Sequence, residues 1–155
     1  MSVTRTHNDH IAKVLEQLQH REIQIGFFET AVYPDGTPVA YVAAIQEFGS
    51  GPIPPRPFLR PAAADNKDKW GKLAASGIKA ALREAIQLDD ALGQIGFVGA
   101  GDVQNAIRAV QSPELKTSTI RNRRTRTTKN KNQSVKPLVD TGQMLQSVTS
   151  KVETV

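Results

Sequence analysis

The chain of 155 residues contains no cysteine and few aromatic residues. The absence of cysteine excludes disulfides and thiolate metal sites, and it indicates a reducing cytoplasm or a particle assembled there. Aromatic residues make up only 5% of the chain, so the core must consist mainly of alanine, valine, isoleucine and leucine. No apolar run approaches the ~20 residues that span a bilayer, and the N-terminal residues lack the apolar stretch of a signal peptide. We therefore expect a protein that neither crosses a membrane nor is secreted.

Acidic residues are missing from one long segment of the chain. Between Glu114 and Asp140 there is no carboxylate, yet this stretch holds eight of the 20 basic residues, while the remainder of the chain has a net charge of −3. Such a composition predicts a mobile, partner-facing arm at about residues 116–136. The side chains expected to contact the partner are Arg121, Arg123, Arg124, Arg126, Lys129 and Lys131.

Hydrophobic periodicity predicts helices and strands along most of the remaining chain. We predict a helix over 8–20 capped by Asn8 or Asp9, and a strand over 22–28. A turn at 33–36 and a helix over 39–48 capped by Gly49 follow. A stiff proline-rich connector covers 49–61, and an alanine-rich helix, broken near Gly71, covers 62–90. The glycine-containing stretch 93–101 predicts a turn before a helix over 102–111 that Asp102 caps. A capped turn or short helix begins at Asp140, and a strand covers 147–155.

This order of elements predicts a single α+β domain over residues 1–155. The two clearest strands lie near the two ends of the chain, so they can pair only in space. We expect a small antiparallel sheet packed by a long helix, with an N-terminal helix and a long basic loop.

No constellation of residues argues for catalysis, and we expect no enzyme, cofactor or metal. His7 and His10 have the spacing of two metal ligands, but the sequence offers no third ligand. Asp89 and Asp90 are adjacent and so point in different directions, as expected for the surface of a helix C-terminus. Residues 96–101 resemble a phosphate loop only faintly, since no Lys-Ser/Thr follows them. A weaker alternative is an enzyme whose activity depends on His7, His10 or His20.

The proline-rich connector has two interpretations. It could serve as a polyproline-II ligand for an aromatic groove, or as an internal strap that Phe58 and Leu59 anchor in the core. Because a helix follows Phe58 and Leu59 at once, we favour the strap.

The basic arm has three interpretations: contact with an acidic protein surface, contact with nucleic acid, or a solvated loop. It has no aromatic residue to stack on bases, which argues against recognition of single strands or of RNA sequence. Attraction to phosphates without base reading stays open. We rank a protein partner slightly ahead of DNA, and both ahead of an idle loop.

Four blocks, in order, resemble the bacteriophage virion-morphogenesis and tail-completion protein family. The first motif is Tyr41-Val-Ala-Ala-Ile-Gln-Glu-Phe-Gly49, and the second is Ile53-Pro-Pro-Arg-Pro-Phe-Leu-Arg-Pro61, with Trp70 downstream. The third motif is Ser112-Pro-Glu-Leu-Lys-Thr-Ser-Thr-Ile-Arg121, and the fourth is Lys136-Pro-Leu-Val-Asp-Thr-Gly-Gln-Met-Leu-Gln-Ser-Val-Thr149. The basic stretch between Ile120 and Lys136 is longer than the family pattern, which indicates a contact special to this particle.

The resemblance implies a structural α+β protein of the virion neck or tail, assembled in the bacterial cytoplasm. It would complete the tail or join it to the head connector as one subunit of a ring, expected to be hexameric. Its partners would be the connector and the tail terminator or tube, with contact to packaged DNA left open and no membrane involved. The motif residues to which we assign structural roles are Glu47, Phe48, Gly49, Pro57, Phe58, Leu59, Asp140, Thr141 and Gly142. The alternative is a small, non-sequence-specific nucleic-acid-binding protein that uses the arm.

Overall fold

A computed structural model describes residues 3–127 and 132–155 of the chain, with side chains from residue 8 onward. Within these ranges it has six helices and two strands, and the predicted α+β class is confirmed. In chain order the elements are α1 (Val3–Gln19), β1 (Arg21–Gly26), α2 (Val39–Phe48), α3 (Leu59–Leu82), α4 (Leu88–Ala109), α5 (Thr117–Thr125), α6 (Gln143–Gln146) and β2 (Thr149–Thr154).

The chain divides into two compact units, each built from separate stretches. The first unit comprises the residues up to Ile25, Asn66–Gly99 and Ser150–Val155, and the second comprises Gly26–Asp65 and Ala100–Thr149. The prediction of a single domain spans both units and stays a prediction. No helix of the described ranges is long and apolar enough to cross a membrane.

The predicted pairing of the two terminal strands is confirmed. Strands β1 and β2 form a two-stranded antiparallel sheet, and the Val155 amide extends the pairing by donating to the His20 carbonyl at 2.9 Å. The Arg21 side chain donates to the Thr154 hydroxyl and pairs with Asp89 at 2.9 Å. Asp89 lies in the first turn of α4, where a carboxylate is favoured by the helix dipole. The expectation of a helix C-terminus at this position is therefore wrong.

Apolar side chains from three helices form the core of the first unit. The buried residues are Val14, Ala81, Leu88, Leu92 and Ile95, and Leu18, Ile23, Leu73 and Val152 pack against them. Helix α1 begins at Val3, so the prediction that Asn8 or Asp9 caps it is wrong. Helix α3 continues through Gly71 and Gly77 and ends at Leu82, so the predicted break and the predicted extension to residue 90 are wrong as well.

The glycine-containing stretch is the largest departure from the sequence prediction. Instead of a turn at 93–101 and a separate helix capped by Asp102, one continuous helix, α4, covers Leu88–Ala109. A Cβ at Gly96 would lie 2.6 Å from Ser150 Oγ and 3.3 Å from Ile23 Cγ2. The absence of a side chain there lets the helix backbone approach both strands. This close packing explains why glycine, which weakens an isolated helix, occupies position 96.

The second unit begins with the predicted turn and helix. The Gly36 amide donates to the Tyr33 carbonyl at 2.9 Å, and Gly36 has a φ of +82° that suits glycine. Helix α2 has the predicted bounds, and its C-cap Gly49 donates to the Ile45 carbonyl. Phe58 is fully buried and meets Phe27 edge to face, with ring centroids 6.1 Å apart. The burial of Phe58 agrees with the internal-strap interpretation.

The segment predicted as a mobile loop contains a helix. Residues 117–125 form α5, and Ile120 together with the buried Arg123 lies on its inner side. The segment has too few apolar residues to indicate a contact with the core, but the buried Arg123 anchors the helix instead. Lys129 and Lys131, predicted to contact a partner, lie outside the described residues.

Candidate assembly framework and basic face

Glu47 holds the start of α3 in place. Glu47 is only 3% exposed, and one of its carboxylate oxygens accepts hydrogen bonds from the backbone amides of Phe58 and Leu59 at 2.7 and 2.9 Å. The other oxygen accepts from the amide of Arg60 at 3.2 Å and from its Nε at 2.8 Å. The first four backbone N–H groups of a helix have no partner within the helix, and Pro61 has no N–H. The carboxylate from α2 therefore satisfies the remaining orphan donors at the start of α3.

The hydrogen bonds also set the charge state of Glu47. Burial alone would raise the pKa of this carboxyl group, but the hydrogen bonds from the Phe58 amide, the Arg60 side chain and the two following amides outweigh it. The net result is a lowered pKa. Because each of these bonds favours the ionised form, Glu47 is a carboxylate at neutral pH.

Arg56 lies in the second motif and links the proline-rich connector to the third motif. It is 5% exposed, and its Nε donates to the Pro113 carbonyl at 2.7 Å while its second terminal nitrogen donates to the Glu114 carbonyl at 3.1 Å. The remaining terminal nitrogen donates to Gln46 Oε1 at 3.3 Å. Burial lowers the pKa of Arg56, but a guanidinium stays protonated in proteins. Its charge is compensated by carbonyl dipoles rather than by a carboxylate.

Arg123 joins α5 to the fourth motif in the same way. Its terminal nitrogens donate to the carbonyls of Lys136 at 2.9 Å and Pro137 at 3.0 Å, and to those of Ser134 and Val139 at 3.3 Å. Its Nε lies 3.6 Å from the Asp140 carboxylate. Burial is the main cause of its lowered pKa. Predicted as a partner contact, Arg123 instead lies inside the second unit.

Glu47, Arg56 and Arg123, with the groups they bind, form a network that we call the ionic framework. Glu47 joins the first motif to the second, and Arg56 joins the second to the third. Helix α5, which continues the third motif, is joined to the fourth motif by Arg123. Helix α2 also packs directly against α6, which links the first motif to the fourth. The four motifs are therefore connected through buried charged groups and helix packing within one unit.

The other motif residues shape the backbone beside this framework. Gly142 has a φ of +81° and precedes α6, and the Gln143 amide donates to Thr141 Oγ1 at 3.3 Å. Asp140 pairs with Arg126 at 2.9 Å. Gly49 has a φ of +78° and is closely approached by the backbone of Ile53 and Pro55. Pro57 is exposed between the two buried residues Arg56 and Phe58, and Leu59 is partly buried as the first residue of α3.

An exposed apolar strip lies on α2 beside the framework. Tyr41 is 62% exposed and Phe48 is 64% exposed, and their separation of seven residues places them on one side of the helix. The guanidinium of Arg60 lies 4.8 Å from the centroid of the Phe48 ring, a cation–π distance. We call Tyr41 and Phe48 the α2 strip.

The outer side of α5 forms a basic face. We define the basic face as Arg121 and Arg124 with the neighbouring Lys116, Thr117, Ser118 and Thr125, all exposed. In the part of the chain that the structure describes, none of its three cations forms an ion pair with a carboxylate. Arg121 and Arg124, predicted from the sequence to contact a partner, are both exposed on this face, and their contact with a partner stays a prediction. Arg126, selected with them, pairs with Asp140.

The two histidines with the spacing of metal ligands, His7 and His10, are described only in part. His10 Nε2 lies 3.0 Å from the Ala81 carbonyl, and the side chain of His7 is outside the described residues. From residue 8 onward, excluding 128–131, no group of three His, Asp or Glu side chains lies close enough to hold an ion.

Sequence reasoning missed Arg56 and the Gln46 side chain as framework members. The signal for Arg56 was its position between prolines, which places a charged residue in a stretch of fixed backbone next to a buried phenylalanine. No family model, curated protein or solved structure matches the chain.

Proposed function

We propose that the protein is a structural component of a tailed-phage particle that completes the tail or joins it to the head connector, acting as one subunit of a ring. The observation that carries this proposal is the ionic framework. Four sequence motifs, separated along the chain, are tied together by buried charged groups within one unit. Motifs whose residues hold distant segments of the chain together in this way specify a scaffold.

The use of the polar groups supports a structural role over a catalytic one. The Glu47 carboxylate is occupied by backbone amides and Arg60, and the Arg56 and Arg123 guanidiniums are occupied by carbonyls and a side-chain amide. A catalytic acid, base or nucleophile needs reach to a substrate atom. These three buried groups instead fix the backbone, and a rigid subunit of this kind suits a joint that transmits load between particle parts.

Self-association would use the α2 strip. Ring subunits need heterologous contacts, in which one patch of a subunit meets a different patch of its neighbour. Exposed aromatic side chains with an adjacent arginine are the residue types enriched at the energetic centre of protein interfaces. We therefore assign Tyr41 and Phe48 to the contact with a neighbouring copy.

Disruption of the gene in its phage, followed by electron microscopy of the lysate, tests the proposed function. We expect complete heads and complete tails that remain unjoined, or tails of abnormal end structure, and we expect joined particles again when the wild-type protein is supplied in trans. Infectious, joined particles from the disrupted phage would exclude a role at the joint.

Changes in the α2 strip test the assignment of the contact. In the same complementation experiment, the double variant Tyr41→Ser, Phe48→Ser should fold but yield at least tenfold fewer joined particles, because it removes the apolar contact and leaves the framework intact. Phe97→Ser, at an aromatic residue 79% exposed on α4, is the matched control and should restore joining. Full rescue by the double variant excludes the α2 strip as the contact.

A further inference from the structure

The arginines of α5 and its C-terminal end occupy three different environments. Arg123 is buried against carbonyl oxygens, and Arg126 is paired with Asp140. Arg121 and Arg124 are exposed on the basic face, and neither forms an ion pair in the part of the chain that the structure describes. The fold thus uses two of the four cations internally and leaves the other two directed to solvent, three residues apart on one side of a helix.

The positive charge of this region is not balanced within its own unit. The second unit contains eleven basic and seven acidic residues, a net charge of +4 out of the +5 of the whole chain. Helix α5 itself contains no acidic residue. A surface of this kind attracts a polyanion over a distance of about a Debye length, ~8 Å at physiological ionic strength.

The composition of the basic face distinguishes among polyanions. Protein interfaces depend on buried aromatic or aliphatic anchors, and the exposed positions of α5 offer only arginine, threonine, serine and asparagine. Arginine, serine, threonine and asparagine are among the side chains that contact phosphate oxygens of nucleic acids. The face has no aromatic residue on which unpaired bases could stack, which favours a duplex over a single strand.

The anchoring of α5 makes the face a preorganised surface. Arg123 fixes the inner side of the helix to four carbonyl oxygens, and the backbone N–H of Asn132 donates to the Arg123 carbonyl at 3.3 Å. Arg121 and Arg124 therefore extend from a backbone that does not have to fold on binding, which lowers the entropic cost of the contact.

We propose that the basic face of α5 binds the phosphate backbone of duplex DNA without reading its sequence. Arg121 and Arg124 each neutralise one phosphate, and the hydroxyl groups of Thr117 and Ser118 add neutral hydrogen bonds to phosphate oxygens. This inference stands apart from the proposed role in a phage particle, because it depends only on the charge and geometry of the second unit.

Fluorescence anisotropy with a short labelled duplex, measured over a range of salt concentrations, tests the inference with the full-length protein. Each phosphate contact contributes about −0.9 to the slope of log K against log salt, so Arg121→Gln, Arg124→Gln should reduce the slope by about two. Between about 50 and 200 mM salt, the loss of affinity should then be roughly tenfold smaller than for the wild type.

The matched control is Lys67→Gln, Lys72→Gln, which removes two exposed cations from α3 and changes the net charge by the same amount. The control should keep the wild-type slope. Circular dichroism should show that both double variants are folded, since all four side chains are exposed. Absence of duplex binding by the wild type at low salt overturns the proposal, as does an equal loss of slope in the control.

Two competitors and a comparison with single-stranded DNA identify the polyanion. Duplexes of unrelated sequence should displace the labelled duplex equally well. Poly-glutamate, which carries the charge of an acidic protein surface, should displace it much less effectively at equal charge. Displacement by poly-glutamate equal to that by DNA would assign the face to an acidic protein, and tighter binding of a single strand than of the duplex would exclude the duplex as its ligand.

Discussion

Substitution of Glu47 by glutamine keeps the shape of the side chain and removes its charge and one acceptor oxygen. If the remaining oxygen takes the place of the one that accepts from Phe58 and Leu59, the new amide group faces two donors of Arg60, its backbone N–H and its Nε. Glutamine in this position donates where the structure needs an acceptor. The variant should fold, with a start of α3 that is held less tightly.

The magnitude follows from the groups left without a partner. The partly buried backbone N–H of Arg60, left without its acceptor, costs about 1–3 kcal/mol. Loss of a negative charge at the helix N-terminus adds about 0.3–1 kcal/mol, and the pair with the largely exposed Arg60 adds at most ~1 kcal/mol. We therefore expect the free energy of unfolding to fall by about 2–4 kcal/mol at pH 7.

The pH dependence of this loss separates charge from shape. The pKa of Glu47 is lowered in the folded protein, so its charge stabilises the fold above the pKa of an unfolded glutamate, about 4.3. That contribution is lost as the pH falls through the lower, folded-state pKa. The difference between wild type and variant should be constant above about pH 5 and should shrink below about pH 4.

Urea unfolding followed by circular dichroism measures both quantities. Glu16→Gln, at an exposed position of α1, is the matched control and should change the free energy of unfolding by less than about 0.5 kcal/mol. Equal urea midpoints for Glu47→Gln and the wild type at pH 7 would refute the capping role. A difference that is the same at pH 7 and pH 3 would show that the charge of Glu47 does not contribute.

Two further pairs of variants, measured by the same urea unfolding, test the packing of α4 and the anchoring of α5. Gly96→Ala should lower the free energy of unfolding by about 1–3 kcal/mol, because the added Cβ would lie 2.8 Å from Ser150 Cβ. An added Cβ at Gly93 would have no atom within 4 Å, so Gly93→Ala should raise the free energy of unfolding by about 0.5–1 kcal/mol. An equal effect of the two substitutions contradicts close packing at Gly96. Arg123→Lys keeps the charge but loses the planar set of donors, so it should cost about 1–3 kcal/mol. Arg124→Lys, on the exposed side, should cost less than about 0.5 kcal/mol, and equal stability of the two lysine variants would mean that the carbonyl contacts of Arg123 contribute nothing.

Local patterns were sufficient where a single element fixes its own conformation. The bounds of α2 follow from its apolar spacing and from Gly49, whose positive φ ends the helix. The closing strand follows from alternating β-branched residues, and the α+β class follows from the order of elements. These features depend on backbone geometry and side-chain periodicity, which act over a few residues and can be read along the chain.

Tertiary contacts decided the features for which a local pattern was misleading. Gly96 indicated a turn, yet it lies in the middle of a helix because a strand residue, Ser150, occupies the space where a side chain would be. Arg123 indicated an exposed arm, yet it is buried because carbonyl oxygens 11 to 16 residues further along the chain surround it. The sequence by itself determined where the charges and glycines lie, and only packing between distant segments decided which of them face inward, since burial depends on partners that a local pattern does not contain.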